Sequence, residues 1–258
     1  MGILNLTPDS FYDGGKYKND NEILSQVYMM LKNEATFIDI GAYSSRPNAE
    51  HISETEELNR LLPIIELIVK EFPEIIISTD TFRSEVAKKS IESGSAFIND
   101  ISAGQLDKNM MQTVAKLGVP YVMMHMKGTP QNMQEQTHYD HLIKELLYYF
   151  SERVLEAKTH GIKDVIVDPG FGFAKNTAQN FELMNQLDLL KTFELAILAG
   201  VSRKSMIYKT TGGSAQDALN GTTVLNTIAL QKGANILRVH DVKEAVETIK
   251  LTSQLNNS

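Results

Sequence analysis

The chain has 258 residues, a length that one α/β barrel fills, and its 42% hydrophobic and 22% charged residues match a globular protein rather than a disordered one. A formal net charge of −7 argues against nonspecific nucleic-acid binding, which needs a basic face, and the lack of cysteine excludes disulfides and thiolate metal sites. No run approaches the roughly 18 apolar residues that span a bilayer and no basic-then-apolar leader opens the chain, so it reads as cytoplasmic with no membrane partner.

Short apolar runs alternate with longer amphipathic stretches eight times. The first run, 2–5, leads into the turn-forming "TPDSFYDGG", and helical spacing follows over 21–32. Strand 37–40 precedes helix 54–70, strand 75–79 precedes helix 84–92, and strand 96–99 precedes helix 109–116. Strand 121–124 is followed by helix 141–159, and strand 164–167 by helix 178–190. Strand 196–199 runs through "AGVSRKS" into a short helix and then helix 217–231, and strand 236–239 is followed by helix 242–252. Parallel strands need crossover helices, so this alternation predicts a single-domain (β/α)8 TIM barrel over 1–258. No GxGxxG or P-loop follows the first strand, which lowers the competing reading of an open doubly wound sheet.

Polar residues gather where strands end. Asn5, Asp9 and Asp13 follow the first strand, Ser44 to Arg46 the second, Asp80 the third, and Asn99 with Asp100 the fourth. His125 follows the fifth, Asp168 the sixth, Ser202 to Ser205 the seventh, and Arg238 with His240 close the eighth. A barrel brings these C-terminal strand ends to one face, where active sites of this fold lie. In an acidic chain an anionic substrate must be caught by placed cations, and the candidates are Arg46, Arg83, Lys175, Arg203, Lys204 and Arg238.

Asp80, Asn99 and Asp168 together suit a heterocycle presenting adjacent N–H and NH2 donors, because a carboxylate only accepts hydrogen bonds while an amide does both. Each also has a plainer reading: Asp80 or Thr81 as a helix cap, Asn99-Asp100 as a turn, Asp168-Pro169-Gly170 as a turn tripeptide. Arg203 and Lys204 beside a helix start suit a carboxylate or phosphate, or form a solvated basic turn. Arg238 and His240 alternate onto one strand face and suit a pyrophosphate, while Asp241 with Glu244 resembles a capping box. "FGFAK" offers aromatic faces and a cation beside Asp168. His125 reads as a wall residue rather than a metal ligand, and "VMMHM" as barrel filling.

Taken in order, "MGILNLTPDSFYDGG", "DIGAYSSRPNAE", "STDTFRSEVA", "FINDISAG", "MHMKGTPQNMQ", "DPGFGFAK", "GVSRKS" and "LRVHDV" resemble the motifs of the dihydropteroate synthases of folate biosynthesis over nearly the whole chain. The resemblance implies a transferase that joins 6-hydroxymethyl-7,8-dihydropterin pyrophosphate to p-aminobenzoate, releasing pyrophosphate and 7,8-dihydropteroate. It implies that Asp80, Asn99, Asp168 and Lys204 hold the pterin, with Met124 and Phe173 also lining the substrate site. Asn5 would hold Mg²⁺ against the pyrophosphate, gripped also by Arg238 and His240. Ser45, Arg46 and Pro47 would shape the p-aminobenzoate pocket, Ser205 would bind its carboxylate, and Asp9 and Asp13 would approach the reacting centre on a closing loop. It further implies a homodimer built through late helices and a sulfonamide target.

Departures fall in the second loop, where the family's Ser-Thr-Arg-Pro-Gly is Ser44-Ser45-Arg46-Pro47-Asn48 and its Gly-Gly is Gly41-Ala42. Activity is expected to survive them, since Ser45 keeps the hydroxyl and Asn48 tolerates the left-handed conformation. The first strand starts at residue 2, and a few residues leading into it are expected upstream. A methyltetrahydrofolate-dependent methyltransferase would explain Asp80, Asn99 and Asp168 but not the first loop, Arg46 or the Arg238/His240 pair. A noncatalytic pterin-binding relative would keep the ring site alone.

Overall fold

The computed structural model describes residues 1–6, 20–44 and 51–256. Its strands are β1 Gly2–Asn5, β2 Ile38–Gly41, β3 Ile77–Asp80, β4 Phe97–Asp100, β5 Tyr121–Met124, β6 Val165–Asp168, β7 Ala196–Ala199 and β8 Ile236–Leu237. They pair in parallel in chain order. Closure comes from a parallel bridge between Gly2 and Val239, where Ile3 N–H donates to the Val239 carbonyl at 3.0 Å and Val239 N–H to that of Met1 at 2.9 Å.

Around this barrel lie α1 Asp20–Lys32, α2 Glu54–Glu71, α3 Ser84–Glu92, α4 Met110–Leu117, α5 Leu142–His160 and α6 Thr177–Asn185. Two helices follow β7, the short α7 Ser205–Thr211 and α8 Leu219–Gln231, before α9 Val242–Asn256 completes the ring. Each crossover has local causes. Ser53 caps α2 by accepting from Glu56 N–H at 3.1 Å, with Glu54, Glu56 and Glu57 in the first turn where the helix dipole favours anions. A reciprocal Asn176–Gln179 capping box starts α6.

Several boundaries move from the sequence expectation. Strands two, three, four and six each run one residue further, to Gly41, Asp80, Asp100 and Asp168, because backbone pairing continues past the last apolar side chain. The third also begins later, since Ile75 N–H closes a turn on the Phe72 carbonyl. Helix 178–190 divides at Gln186 into α6 and a 3-10 stretch, Leu187–Phe193. Helix 217–231 begins as a 3-10 turn, Ala215–Ala218, capped by Ser214.

Strand pleating sorts side chains into two environments. Ile38, Ile40, Ile77, Ile98, Tyr121, Val165, Val167 and Ile197 belong to the large core between sheet and helices. On the opposite parity, Phe97, Val122 and Leu198 pack with Phe37, Ile166, Ile236 and Met1 as an apolar plug inside the barrel. Phe37 and Phe97 meet edge to face with centroids 5.3 Å apart. Two residues beyond Phe37, Phe97, Val122, Ile166 and Ile236 stand Asp39, Asn99, Met124, Asp168 and Arg238 above that plug, and Asp80 shares their parity at the end of β3. The fold therefore turns a period of two into an apolar floor and a polar layer over it.

Candidate active site

Inside the polar layer, Asp39 of β2 is fully buried, and its Oδ2 accepts from Arg238 Nε at 2.6 Å and from Asn99 Nδ2 at 3.1 Å. Arg238 Nη2 reaches Asp80 Oδ2 at 2.8 Å, so one guanidinium spans the carboxylates of β2 and β3. Asp80 and Asn99 are register partners on neighbouring strands. Burial pushes the Asp80 carboxyl up to about 7 against the opposing charge of Arg238. Burial also works against the charge of Arg238, but Asp39 and Asp80 hold its guanidinium above the ordinary value.

Across the mouth, Asp168 ends β6, and its Oδ1 accepts from Gly170 N–H at 2.8 Å in a tight turn. Gly170 has φ +69, and a Cβ there would fall 2.1 Å from the His125 carbonyl oxygen, so this turn admits only glycine. Lys204, at the start of α7, donates to the Phe171 carbonyl and lies 4.8 Å from the centroid of the Phe173 ring. Burial brings the Lys204 ammonium down to about 8, with Asp168 pulling the other way. Burial likewise raises the Asp168 carboxyl, opposed first by Lys204. Met124 is buried with Ile101, Met126, Met133 and Ala174, against partly buried Phe82 and Phe173.

Lys175 does not face this layer as a free cation. Its buried Nζ contacts His125 Nδ1 at 3.0 Å and donates to the carbonyls of Gly170 at 3.0 Å and Phe173 at 3.1 Å. Burial lowers it to about 7, with Asp168 opposing. Gly172 N–H donates to Asn180 Oδ1 at 2.7 Å, and Asn180 Nδ2 donates to the Lys175 and Asn176 carbonyls. Together they fix the loop that carries Asp168 and Phe173. His125, buried, is held well below its ordinary pKa by burial and by the Lys175 charge, which fits a wall residue.

Arg83 and Arg203 are also structural. Arg83 Nη1 meets Glu57 Oε2 at 2.5 Å, Thr81 Oγ1 donates to Glu57 Oε1 at 2.7 Å, and Arg83 Nη2 donates to the Ile52 carbonyl at 2.7 Å. Thr81 Oγ1 thus donates to α2 while accepting from the Arg83 backbone N–H at 3.2 Å, just ahead of α3. Arg203 forks onto Asp241, which gives that aspartate a role beyond the capping-box reading: the loop after β7 and the loop after β8 are pinned together. The same junction sets His240, whose Nδ1 is 3.0 Å from Ser202 Oγ and whose N–H donates to that oxygen at 3.1 Å. His240 is exposed, Ser205 opens α7, and partly buried Asn5 ends β1 opposite Gly41.

Of the six cations marked in the sequence, Lys204 and Arg238 thus stand in the polar layer, while Arg83, Lys175 and Arg203 hold loops. Arg46 lies outside the described residues, as do Asp9, Asp13, Ser45, Pro47 and Asn48. Asp39 is the residue that sequence reasoning missed. Its signal is parity: it shares the inward face with Phe37 and sits level with the other acceptors. A separate cavity of about 710 Å³ lies beside α5, lined by His125, Lys127, Glu145, Tyr148 and Tyr149 among others. Lys127 there is paired with Glu145 at 2.7 Å, and none of the polar-layer residues of β2, β3, β4 or β6 borders it.

The mouth thus presents two carboxylates and an amide, with an ammonium and an aromatic ring opposite. The family model for pterin binding enzymes matches residues 1–240. The dihydropteroate synthase of Escherichia coli strain K12 is 40% identical over 253 residues, covering 97% of this chain and 89% of its own. A crystal structure of the Yersinia pestis dihydropteroate synthase with a sulfonamide drug superposes with a TM-score of 0.95 at 40% identity, covering 100% of this chain and 94% of that one. That of Xanthomonas albilineans in complex with 7,8-dihydropteroate gives 0.88 at 34% identity, over 100% and 93%. The chain belongs to the pterin-binding enzymes, in the dihydropteroate synthase family.

Proposed function

We propose that this protein is a dihydropteroate synthase, a transferase that condenses 6-hydroxymethyl-7,8-dihydropterin pyrophosphate with p-aminobenzoate and releases pyrophosphate. The observation that carries the reading is the polar layer: Asp80, Asn99 and Asp168 ring one mouth with Lys204 beside Asp168, directly above an apolar floor. The two carboxylates accept from the pterin's ring N–H and amino group, Asn99 supplies a mixed edge, and Lys204 donates to a ring acceptor. Met124 and Phe173 flank the flat ring.

Bond cleavage comes first in this mechanism. The methylene carbon parts from the pyrophosphate oxygen, which keeps the electron pair, and the electron-rich pterin stabilises the cation that remains. Arg238 and His240 hold the departing anion; removing one such fixed donor costs on the order of 10²–10³ in turnover. Mg²⁺ fits beside them, since that ion takes one or two protein oxygens and completes its shell with substrate phosphates and water. Asn5 would be its protein ligand, and among the described residues no three carboxylates or histidines converge as a closed metal cage. When bound, the ion neutralises charge on the leaving group.

The amine of p-aminobenzoate then attacks the methylene carbon and loses a proton, for which Asp13 is the acceptor. Ser45, Arg46 and Pro47 form the p-aminobenzoate pocket, Ser205 takes its carboxylate, and Asp9 with Asp13 belongs to the loop that excludes water. The whole chain, 1–258, acts as one barrel domain, and two copies associate as a homodimer; among the described residues no helix is long and apolar enough to cross a membrane.

The test is formation of dihydropteroate and release of pyrophosphate from both substrates with Mg²⁺, beside a control lacking p-aminobenzoate. Product that requires all three components is expected. Tight pterin binding without product would replace this reading by a noncatalytic one.

A further inference from the structure

We infer that Asp39 is a positioning residue that couples the pterin pocket to the pyrophosphate grip, by holding Asn99 in one orientation and Arg238 by its Nε while the far end of the guanidinium changes partner. The inference rests on the function proposed above. Its physical basis lies in three bonds: Arg238 Nε to Asp39 Oδ2 at 2.6 Å, Asn99 Nδ2 to the same oxygen at 3.1 Å, and Arg238 Nη2 to Asp80 Oδ2 at 2.8 Å.

A carboxylate only accepts, so the amide of Asn99 must turn its NH2 toward Asp39. That choice leaves Asn99 Oδ1 and its second N–H for the ring. Asp80, by contrast, gives its Oδ2 to Arg238, so a ring donor that approaches this same oxygen competes with Nη2 for it. When the ring takes Asp80, Arg238 Nη2 is released. The Nε bond to Asp39 keeps the side chain at the mouth, so the freed end turns to the pyrophosphate instead of leaving the site. Asp39 thereby makes ring binding and anion capture one event.

Stability alone gives little reason for a carboxylate here. Asp39 is fully buried, its Oδ1 has no hydrogen-bond partner among the described residues, and the layer just below it is filled by Phe37 and Phe97. Buried ion pairs replaced by packed apolar groups are commonly neutral or stabilising, so the charge points to work done through its partners.

The test combines kinetics and spectroscopy on the full chain. Asp39→Asn keeps the size of the side chain and loses the charge. We expect kcat/KM for the pterin pyrophosphate to fall by about tenfold or more, with KM for p-aminobenzoate unchanged. In an Arg238→Lys background, which has no Nε to tether, the same substitution is expected to cost less than about threefold, a strong departure from additivity. Full additivity, or a lowered Tm with unchanged kinetics, would overturn the inference. Should Asp39→Asn fail to fold, the Arg238 Nε–H signal is followed in ¹⁵N-labelled protein, assigned by its loss in Arg238→Lys. Its persistence on adding the pterin pyrophosphate supports a retained tether, and its collapse sinks the idea. An inactive parent enzyme that shows the tether would count against the function alone.

Discussion

Arg203 closes a two-point fork on Asp241, with Nε 2.8 Å from Oδ2 and Nη2 2.8 Å from Oδ1. The same guanidinium donates through Nη1 to the carbonyls of Ala215 and Gln216 at 2.9 and 3.0 Å. One side chain therefore ties together the β7 loop, the turn before α8 and the β8 loop. A lysine reproduces the charge but not the planar fork. We expect Arg203→Lys to cost about 1–3 kcal/mol in chemical unfolding, since both partners are mostly shielded from water. A loss below about 0.5 kcal/mol would show that the three segments hold without it.

Gly170 offers a harsher test. With φ +69 and no room beside the His125 carbonyl, Gly170→Ala must move either β5 or the Asp168 turn. A loss of about 3 kcal/mol or more is expected from strain and displacement together. Thermal melting and pterin titration should report it in parallel. Unchanged affinity in a destabilised but folded variant would mean that Asp168 is placed by β6 alone.

Asp80 sets the expected pH response. Its ordinary value is 3.8 and burial raises it to about 7, so the folded chain binds more protons than the unfolded one between those values. Stability from this group is thus complete below about 4 and lost as the pH rises through about 7. Pterin binding runs the other way, because only the ionised carboxylate accepts from two ring donors. Affinity measured by calorimetry should weaken as pH falls below about 7, and Asp80→Asn should flatten that dependence. A wild-type affinity that is level from about pH 5.5 to 8 would remove Asp80 ionisation from recognition.

Lys175 is expected to matter through the loop it ties. Lys175→Met fills the same space but removes this donor from the Phe173 carbonyl and from that of Gly170, which keeps the Phe173 N–H at 3.1 Å, at a cost of about 1–3 kcal/mol for a group left unsatisfied. The fold lowers the ammonium from 10.5 to about 7, so the unfolded chain binds more protons across that interval. Wild-type stability relative to the variant should therefore rise with pH from about 7 to about 10. An equal difference at every pH would mean that Lys175 keeps one charge state in the fold.

Much of this architecture was legible in the sequence. Apolar runs of four separated by amphipathic stretches gave β1, β5 and β7 at their observed limits and the barrel as a whole. Asp80, Asn99 and Asp168 were legible because each stands where an apolar run stops. Asp39 was not, because it stands inside its run between Ile38 and Ile40, and only the shared parity with Phe37 places it inward. Nor does sequence distinguish a cation that faces a ligand from one that holds a loop: Lys175 and Lys204 look alike on paper, yet only tertiary contacts send one to His125 and the other toward Asp168. The partners of Arg83 and Arg203 lie 26 and 38 residues away, beyond what local pattern reaches.

The dipeptide Asn99-Asp100 divides two kinds of demand at a single peptide unit. Asn99 turns inward to Asp39, while Asp100 turns outward and accepts from the Tyr121 hydroxyl at 2.5 Å, from Ser102 N–H and Oγ at 2.7 and 2.8 Å, and from Gly104 N–H at 2.7 Å. Deleting or inserting one residue within β4 would exchange their directions, sending the inward-facing amide to the helices and a fully bonded carboxylate into the barrel mouth. The reading frame of the pleat, more than the identity of either residue, is what β4 cannot lose.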